Sequence, residues 1–353
     1  MNMKYKKYSK KLLSLLILSS LGTSLIGCGS GSGGGDEDHS HSESHGSFDT
    51  QKTSFFPISG LALDNNEVTK NHLGDSSLAV FDYKNMDGEV DLPRFGTVRN
   101  QVVVEIPNSE ITGLNDDEDG ITNDLEAICK LDNTYYLAAE SGYHQGKFGR
   151  IFLIERDPTP KALDSGLTIV KTYTQGINPD DFADASFEGL ACAASTVVQG
   201  TYNILLGDRK SGKLYSTKID PLEDSLTNGR TALDLKLVGQ INAPSEWDTK
   251  RSISDLFYNT EEHTLYGVAS SDPGDDSAKQ PHSTIYQATH PFHLEDDQFI
   301  QNISSPEKID IKKLRDFPHD KVEGITGYNM KDGIFWGSDN DKKGSNNGYF
   351  YEY

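Results

Sequence analysis

The run Asn115-Asp116-Asp117-Glu118-Asp119-Gly120-Ile121-Thr122-Asn123-Asp124-Leu125-Glu126 has the ligand spacing of a calcium loop. Asn115, Asp117, Asp119, Asn123 and Glu126 put oxygen side chains at positions 1, 3, 5, 9 and 12. Gly120 permits the sharp turn, and the carbonyl of Ile121 serves position 7. Hard cations such as Ca²⁺ take such oxygen ligands. A second set of carboxylates comes from a repeated mark, Glu-Gly-aliphatic-small. It reads Glu188-Gly189-Leu190-Ala191 and Glu323-Gly324-Ile325-Thr326. Degenerate copies are Glu126-Ala127-Ile128-Cys129, Ser59-Gly60-Leu61-Ala62 and Ser254-Asp255-Leu256-Phe257. Glu126 belongs to both sets and cannot serve both. The loop takes precedence in this reading.

The elements that must carry these residues also repeat. The second position of the mark falls at 60, 127, 189, 255 and 324. Each mark is followed by an apolar run that closes on a polar group. The runs are Leu78-Ala79-Val80-Phe81-Asp82, Tyr136-Leu137-Ala138-Ala139-Glu140, Ile204-Leu205-Leu206-Gly207-Asp208, Leu265-Tyr266-Gly267-Val268-Ala269-Ser270 and Ile334-Phe335-Trp336-Gly337-Ser338-Asp339. A third mark follows in four units, at Arg150-Ile151-Phe152-Leu153, Lys213-Leu214-Tyr215, Thr284-Ile285-Tyr286 and Tyr349-Phe350-Tyr351. These short segments, rich in β-branched and aromatic residues and bounded by Gly, Asp and Asn, predict strands. Thr97 to Ile106, Thr168 to Thr174 and Leu235 to Ile241 are candidate fourth strands. Repeated four-stranded units predict an all-β fold, a β-propeller. Five marks argue for five blades, and the length also accommodates six. The last unit lacks its fourth strand, which Thr53 to Pro57 would supply from the N-terminal side, closing the ring.

The marks resemble the phytase-like ("esterase-like activity of phytase") β-propellers and, more distantly, the gluconolactonase and paraoxonase group. The resemblance covers about residues 55–353. It implies a propeller in which an inner-strand Glu binds a divalent metal at the channel mouth, with Glu126, Glu188 and Glu323 in the matching positions. Ser59 and Ser254 depart from the pattern, and the His-rich phosphatase signatures of other phytases are missing. The loop at 115–126 resembles EF-hand-like and thrombospondin-type calcium repeats, without flanking helices.

Glu188 and Glu323 are thus candidate metal ligands or catalytic groups. Asp208 and Asp339, at the ends of second strands, are candidate ligands or bases. His319 and His144 are candidate proton carriers, and Arg209 and Lys210 candidate contacts for an anionic substrate. No nucleophile elbow, zinc-protease motif, phosphate loop or dinucleotide fingerprint occurs in the sequence.

The N-terminal region reads as an address. Lys4, Lys6, Lys7, Lys10 and Lys11 precede an apolar run from Leu12 to Ile26, the layout of a secretory signal peptide. Leu25-Ile26-Gly27-Cys28 resembles the bacterial lipobox. That implies cleavage after residue 27 and acylation of Cys28 by palmitate-class chains. With Gly29 and Ser30 next, bacterial sorting rules favour the outer membrane. Residues 28–52 are expected to be a Gly/Ser tether with an acidic, His-bearing stretch. There His39, His41 and His45 offer weak ligands for Zn or another transition metal. Residues 53–353 form the predicted propeller domain. Cys129 and Cys192 each lie within a few residues of a repeat mark in neighbouring units and read either as a disulfide or as two separate thiols.

The 353 residues carry 33 Lys+Arg against 54 Asp+Glu, a formal charge of −21. Such an excess disfavours nucleic acid and favours divalent cations as partners. The sequence therefore leads to one primary expectation: an exported, membrane-anchored lipoprotein with an acidic, Ca-binding propeller acting as a cell-envelope binding or scaffold module. The alternative is a metal-dependent hydrolase of phosphate esters, esters or lactones with its site at the channel mouth.

Overall fold

The computed structural model describes residues 45–47, 51–54, 57–64, 76–82, 92–99, 101–114, 122, 124–141, 149–157, 165–175, 186–227, 229–244, 251–271, 280–289, 293–295, 298–300, 309–340 and 345–352. Almost all regular structure there is β. The helical exceptions are a single turn at Asn108–Glu110 and a short helix at Pro221–Ser225, capped by the Asp220 carboxylate on the Glu223 N–H.

Five large sheets follow one another along the chain, beside a two-stranded one formed by His293–Glu295 and Gln298–Ile300. Blade I pairs Ile58–Leu63, Ser76–Phe81, Phe95–Arg99 and Val102–Ile106 in antiparallel order. Blade II uses Leu125–Lys130, Tyr135–Glu140, Arg150–Arg156 and Leu167–Thr174. Blade III uses Phe187–Ala194, Tyr202–Asp208, Lys213–Ile219 and Lys236–Gln240. Blade IV uses Arg251–Asn259, Thr264–Ser271, His282–Thr289 and Lys312–Phe317. Blade V joins Val322–Gly327, Ile334–Ser338 and Ser345–Glu352. The first strands of the five sheets contact one another in a closed ring, I–II–III–IV–V–I. The protein is a five-bladed β-propeller, and the six-blade alternative is set aside.

Closure uses the N-terminal side, earlier than expected. His45–Ser47 and Gln51–Ser54 both pair antiparallel with Ser345–Glu352. The closing strand thus begins within the stretch read as tether and stops short of Pro57. A proline lacks the N–H that a ladder position needs.

The inner strands are apolar because they are buried on both sides. All six residues of Ile58–Leu63 are buried. The small residue of the mark has a packing cause. A Cβ added to Gly60 would lie 2.8 Å from the Cα of Ala127, on the neighbouring inner strand. One added to Gly189 would lie 2.5 Å from Cγ2 of Ile253. Between blades sit continuous apolar layers. Phe95, Tyr136 and Phe152 fill the layer between I and II, and Phe317 and Trp336 meet at 4.7 Å between IV and V. Cys129 and Cys192 form a disulfide that ties the inner strands of blades II and III, with Cα atoms 5.8 Å apart.

Candidate functional site

Every inner strand is irregular at the mark. In blade II, Leu125 pairs with Glu140 and Ala127 with Ala139, so Glu126 is an extra residue with no partner opposite. Ser59, Glu188 and Glu323 hold the same place in blades I, III and V. A bulge of this kind re-aims a side chain. Here it gathers one polar residue per blade at one end of the central channel. Blade IV is looser still: four steps from Arg251 to Asp255 match two steps from Ser270 to Val268.

Blades III to V contribute an alternating chain of charges. Arg209 Nη1 lies 2.5 Å from Glu188 Oε1, and Arg251 Nη1 lies 3.3 Å from Glu188 Oε2. Arg251 Nη1 also reaches Glu323 Oε1 at 2.7 Å. Lys321 Nζ bonds Glu323 Oε2 at 3.4 Å and Asp339 Oδ2 at 2.9 Å. Burial raises the Glu188 carboxyl above its ordinary value, and the Arg251, Arg209 and Lys321 charges oppose that rise. Glu323 is pushed up to about 8, chiefly by burial, with Lys321 and Arg251 pulling back and Asp339 and Glu188 adding to it.

Blades I and II contribute carboxylates. One oxygen each of Asp82, Asp124 and Glu126 lies within 4.8 Å of the others. Asp82 directly follows the second strand of blade I, where its N–H donates to Ser59 Oγ at 3.1 Å. Ser59 thus replaces the mark's Glu and anchors a different acid. Asp124 has φ of 67°, a left-handed conformation, and is pinned through Ser141. The Ser141 Oγ donates to Asp124 Oδ2 at 2.5 Å and its N–H to the Asp124 carbonyl at 2.9 Å. The buried Arg94 steadies the approach, donating from Nε to the Thr122 carbonyl at 2.9 Å. Burial raises the Glu126 carboxyl well above the usual carboxylate range, and Asp82, Glu188, Asp124 and Glu323 push the same way. The three acids form an oxygen-only set that could hold a hard divalent cation.

Sequence reading and structure part company at several residues. Glu126, taken as the closing ligand of a calcium loop, belongs to the strand bulge at the channel mouth. Asn115, Asp117, Asp119, Ile121 and Asn123 lie outside the described residues, as do Cys28, His39, His41 and His144. His45 is placed only as part of a strand. Asp208 serves its own turn: Oδ1 accepts from the Ser211 N–H and Oγ, and Oδ2 from the Ser186 N–H. His319 is exposed on the turn that precedes Asp320 and the inner strand of blade V. Arg209 is held by Glu188, and Lys210 is exposed. Asp82, Asp124, Arg251 and Lys321 were not singled out from the sequence. A basic residue two or three positions ahead of a mark was the available signal for the last two.

A separate cavity of about 320 Å³ opens at the other end of the channel. The C-terminal ends of the inner strands line it, among them Leu63, Leu131, Tyr258 and Tyr328, together with the disulfide.

No protein-family model matches the chain, and no curated protein matches it. Solved structures do. The GH43_1 enzyme from Xanthomonas citri aligns with a TM-score of 0.45 at 8% identity, covering 85% of this chain and 89% of that one. The catalytic domain of the Coprinopsis cinerea GH62 α-L-arabinofuranosidase aligns at 0.44 and 8% identity, covering 87% and 97%. A thermostable family-43 glycoside hydrolase aligns at 0.43 and 10% identity, covering 85% and 90%. These similar structures are glycoside hydrolases and not phytases, so the phytase-like expectation gains nothing from them.

Proposed function

We propose that the protein is a hydrolase working at the mouth of the channel, and that its substrate is a neutral, polyhydroxylated molecule cleaved at a glycosidic bond by carboxyl acid–base chemistry. The convergence of Asp82, Asp124 and Glu126 within 4.8 Å carries this reading. Three carboxylates that close, two of them buried and Asp82 half-buried, cannot all carry charge, so a proton or a cation must neutralise part of the set. Glu126 is buried among acids and is the natural proton holder. Glu188 is bonded by two guanidinium groups, which favour its charged form against the effect of burial. Carboxyl groups whose environments split their protonation are what glycosidic cleavage requires. Glu126 donates a proton to the leaving oxygen while Asp82, the most exposed of the three and too close to leave room for a water between them, bonds the sugar carbon. Water then displaces Asp82, with Glu126 taking its proton. Phosphate esters fit poorly, because Arg209, Arg251 and Lys321 are each engaged by carboxylates and a phosphate would meet further negative charge.

The same triad supports a second reading, a divalent-cation site retained from the first expectation. A panel of aryl glycosides, assayed with the full-length protein with and without chelator, beside Ca²⁺ calorimetry, separates the two. Turnover that survives chelation and disappears in Glu126→Gln supports the hydrolase. Stoichiometric Ca²⁺ binding lost in Asp124→Asn, without turnover, supports the cation site and overturns the first reading. We further propose that Cys28 is acylated and anchors the protein to the outer membrane. Radiolabelled palmitate should enter the wild type and not Cys28→Ala.

A further inference from the structure

Below the mouth, one acid breaks the repeat. The mark has Gly60, Ala127, Gly189 and Gly324 in four blades and Asp255 in the fifth. Asp255 is fully buried. Its Oδ1 accepts from the Leu256 N–H at 2.8 Å, and its Oδ2 accepts from the Ile325 N–H at 2.8 Å. These two donors come from blades IV and V, each at the residue after the mark's second position.

The geometry has a simple origin. The first strand of each blade has a paired side and a side facing the channel. On the channel side its N–H groups have no ladder partner, and a buried N–H needs an acceptor. Inner-strand donors therefore converge on the axis. Convergent backbone N–H groups make an anion-binding concavity. Each oxygen of the Asp255 carboxyl accepts one of these N–H groups, and an ionised carboxylate has lone pairs for both. Burial lifts this carboxyl well above its usual value, and the backbone N–H groups offset only part of that rise.

We infer that the propeller axis of this chain is an anion site for a small carboxylate, kept filled by the chain's own Asp255. The plug also lies between the acidic mouth and the cavity at the other end, since Leu256, whose N–H it accepts, lines that cavity.

The test is chemical rescue of stability in the full-length protein. Asp255→Gly installs the residue that three other blades already carry, and empties the site. Its melting temperature should fall by several degrees. Formate should restore most of the loss in a saturable manner, while formamide, neutral and of similar shape, should not. Wild type should show no saturable response. Asp255→Asn keeps the shape but turns an NH₂ toward N–H donors, so it too should melt lower and ignore formate. If formate raises Asp255→Gly no more than wild type, the anion site is overturned. If Asp255→Gly cannot be folded at all, Asp255→Asn decides: a melting temperature equal to wild type overturns the inference, and a clear drop supports it.

Discussion

The two halves of the channel mouth use the same repeat to opposite ends. In blades III and V, Glu188 and Glu323 meet cations that arrive from just ahead of a mark: Arg251, Lys321 and, from the neighbouring turn, Arg209. In blade II, Glu126 meets Asp82 and Asp124. The strand bulge and the burial are alike in both halves; the companions differ. One buried carboxylate becomes an ion-paired brace and another becomes a group that must hold a proton or a cation. A repeated motif thus fixes where a side chain points, while residues outside the motif fix its charge.

The sharpest way to break this contrast is to neutralise each half. Glu126→Gln should lower kcat about 10²–10⁴-fold, the usual contribution of a general acid, while leaving the melting temperature unchanged or raised. Initial rates on a responsive glycoside, with thermal denaturation alongside, check both. Arg251→Met should do the reverse. It leaves Glu188 and Glu323 buried with a shared cation removed, which costs about 3–5 kcal/mol of stability. Urea unfolding measures that loss, and a change under about 1 kcal/mol would mean the ion pairs are ordinary surface pairs.

The fold was legible because its determinants are local and repeated. Apolar segments at regular spacing mark the first three strands, and Thr97 to Ile106, Thr168 to Thr174 and Leu235 to Ile241 contain fourth strands. Glu188 and Glu323 were legible as mouth residues because they stand in unbroken copies of the mark. Asp82 was visible only as the polar end of a second strand. Its partnership with Asp124 and Glu126 depends on a bulge, a left-handed backbone at Asp124 and a hydroxyl at Ser59, none of which has a periodic signature. The calcium-loop spacing grouped Glu126 with residues outside the described ones, and linear spacing cannot register that a strand begins at Leu125 and sets Glu126 in its bulge. Asp255 looked like a defect in the repeat, and only the closed ring makes it an axial acceptor.

The disulfide joins the two halves at the far end of the channel, between blades II and III. Its contribution should be one of stability alone. Reduction, or Cys129→Ser with Cys192→Ser, should cost about 2–4 kcal/mol through the entropy of the freed chain. The relative rate on any substrate at a temperature well below melting should not move. A rate that falls with the disulfide would mean that the lower ring holds the mouth in register.

A slope of stability with pH distinguishes the halves once more. Glu323 titrates at about 8 in the folded protein and at the ordinary carboxylate value, about 4.3, when unfolded. Between those values the folded state holds a proton that the unfolded chain has released. Stability from this group is therefore complete below about pH 4 and is lost as the pH rises toward 8. Glu126 acts in the same direction, since its carboxyl is also raised. Glu323→Gln should flatten the slope up to pH 8 and leave the remainder that belongs to Glu126, while the double variant with Glu126→Gln should remove both. If Glu323→Gln leaves the slope intact, Lys321 and Arg251 hold Glu323 as an anion throughout. The ion-paired half would then be fully charged, and the proton-holding role would belong to the acidic half alone.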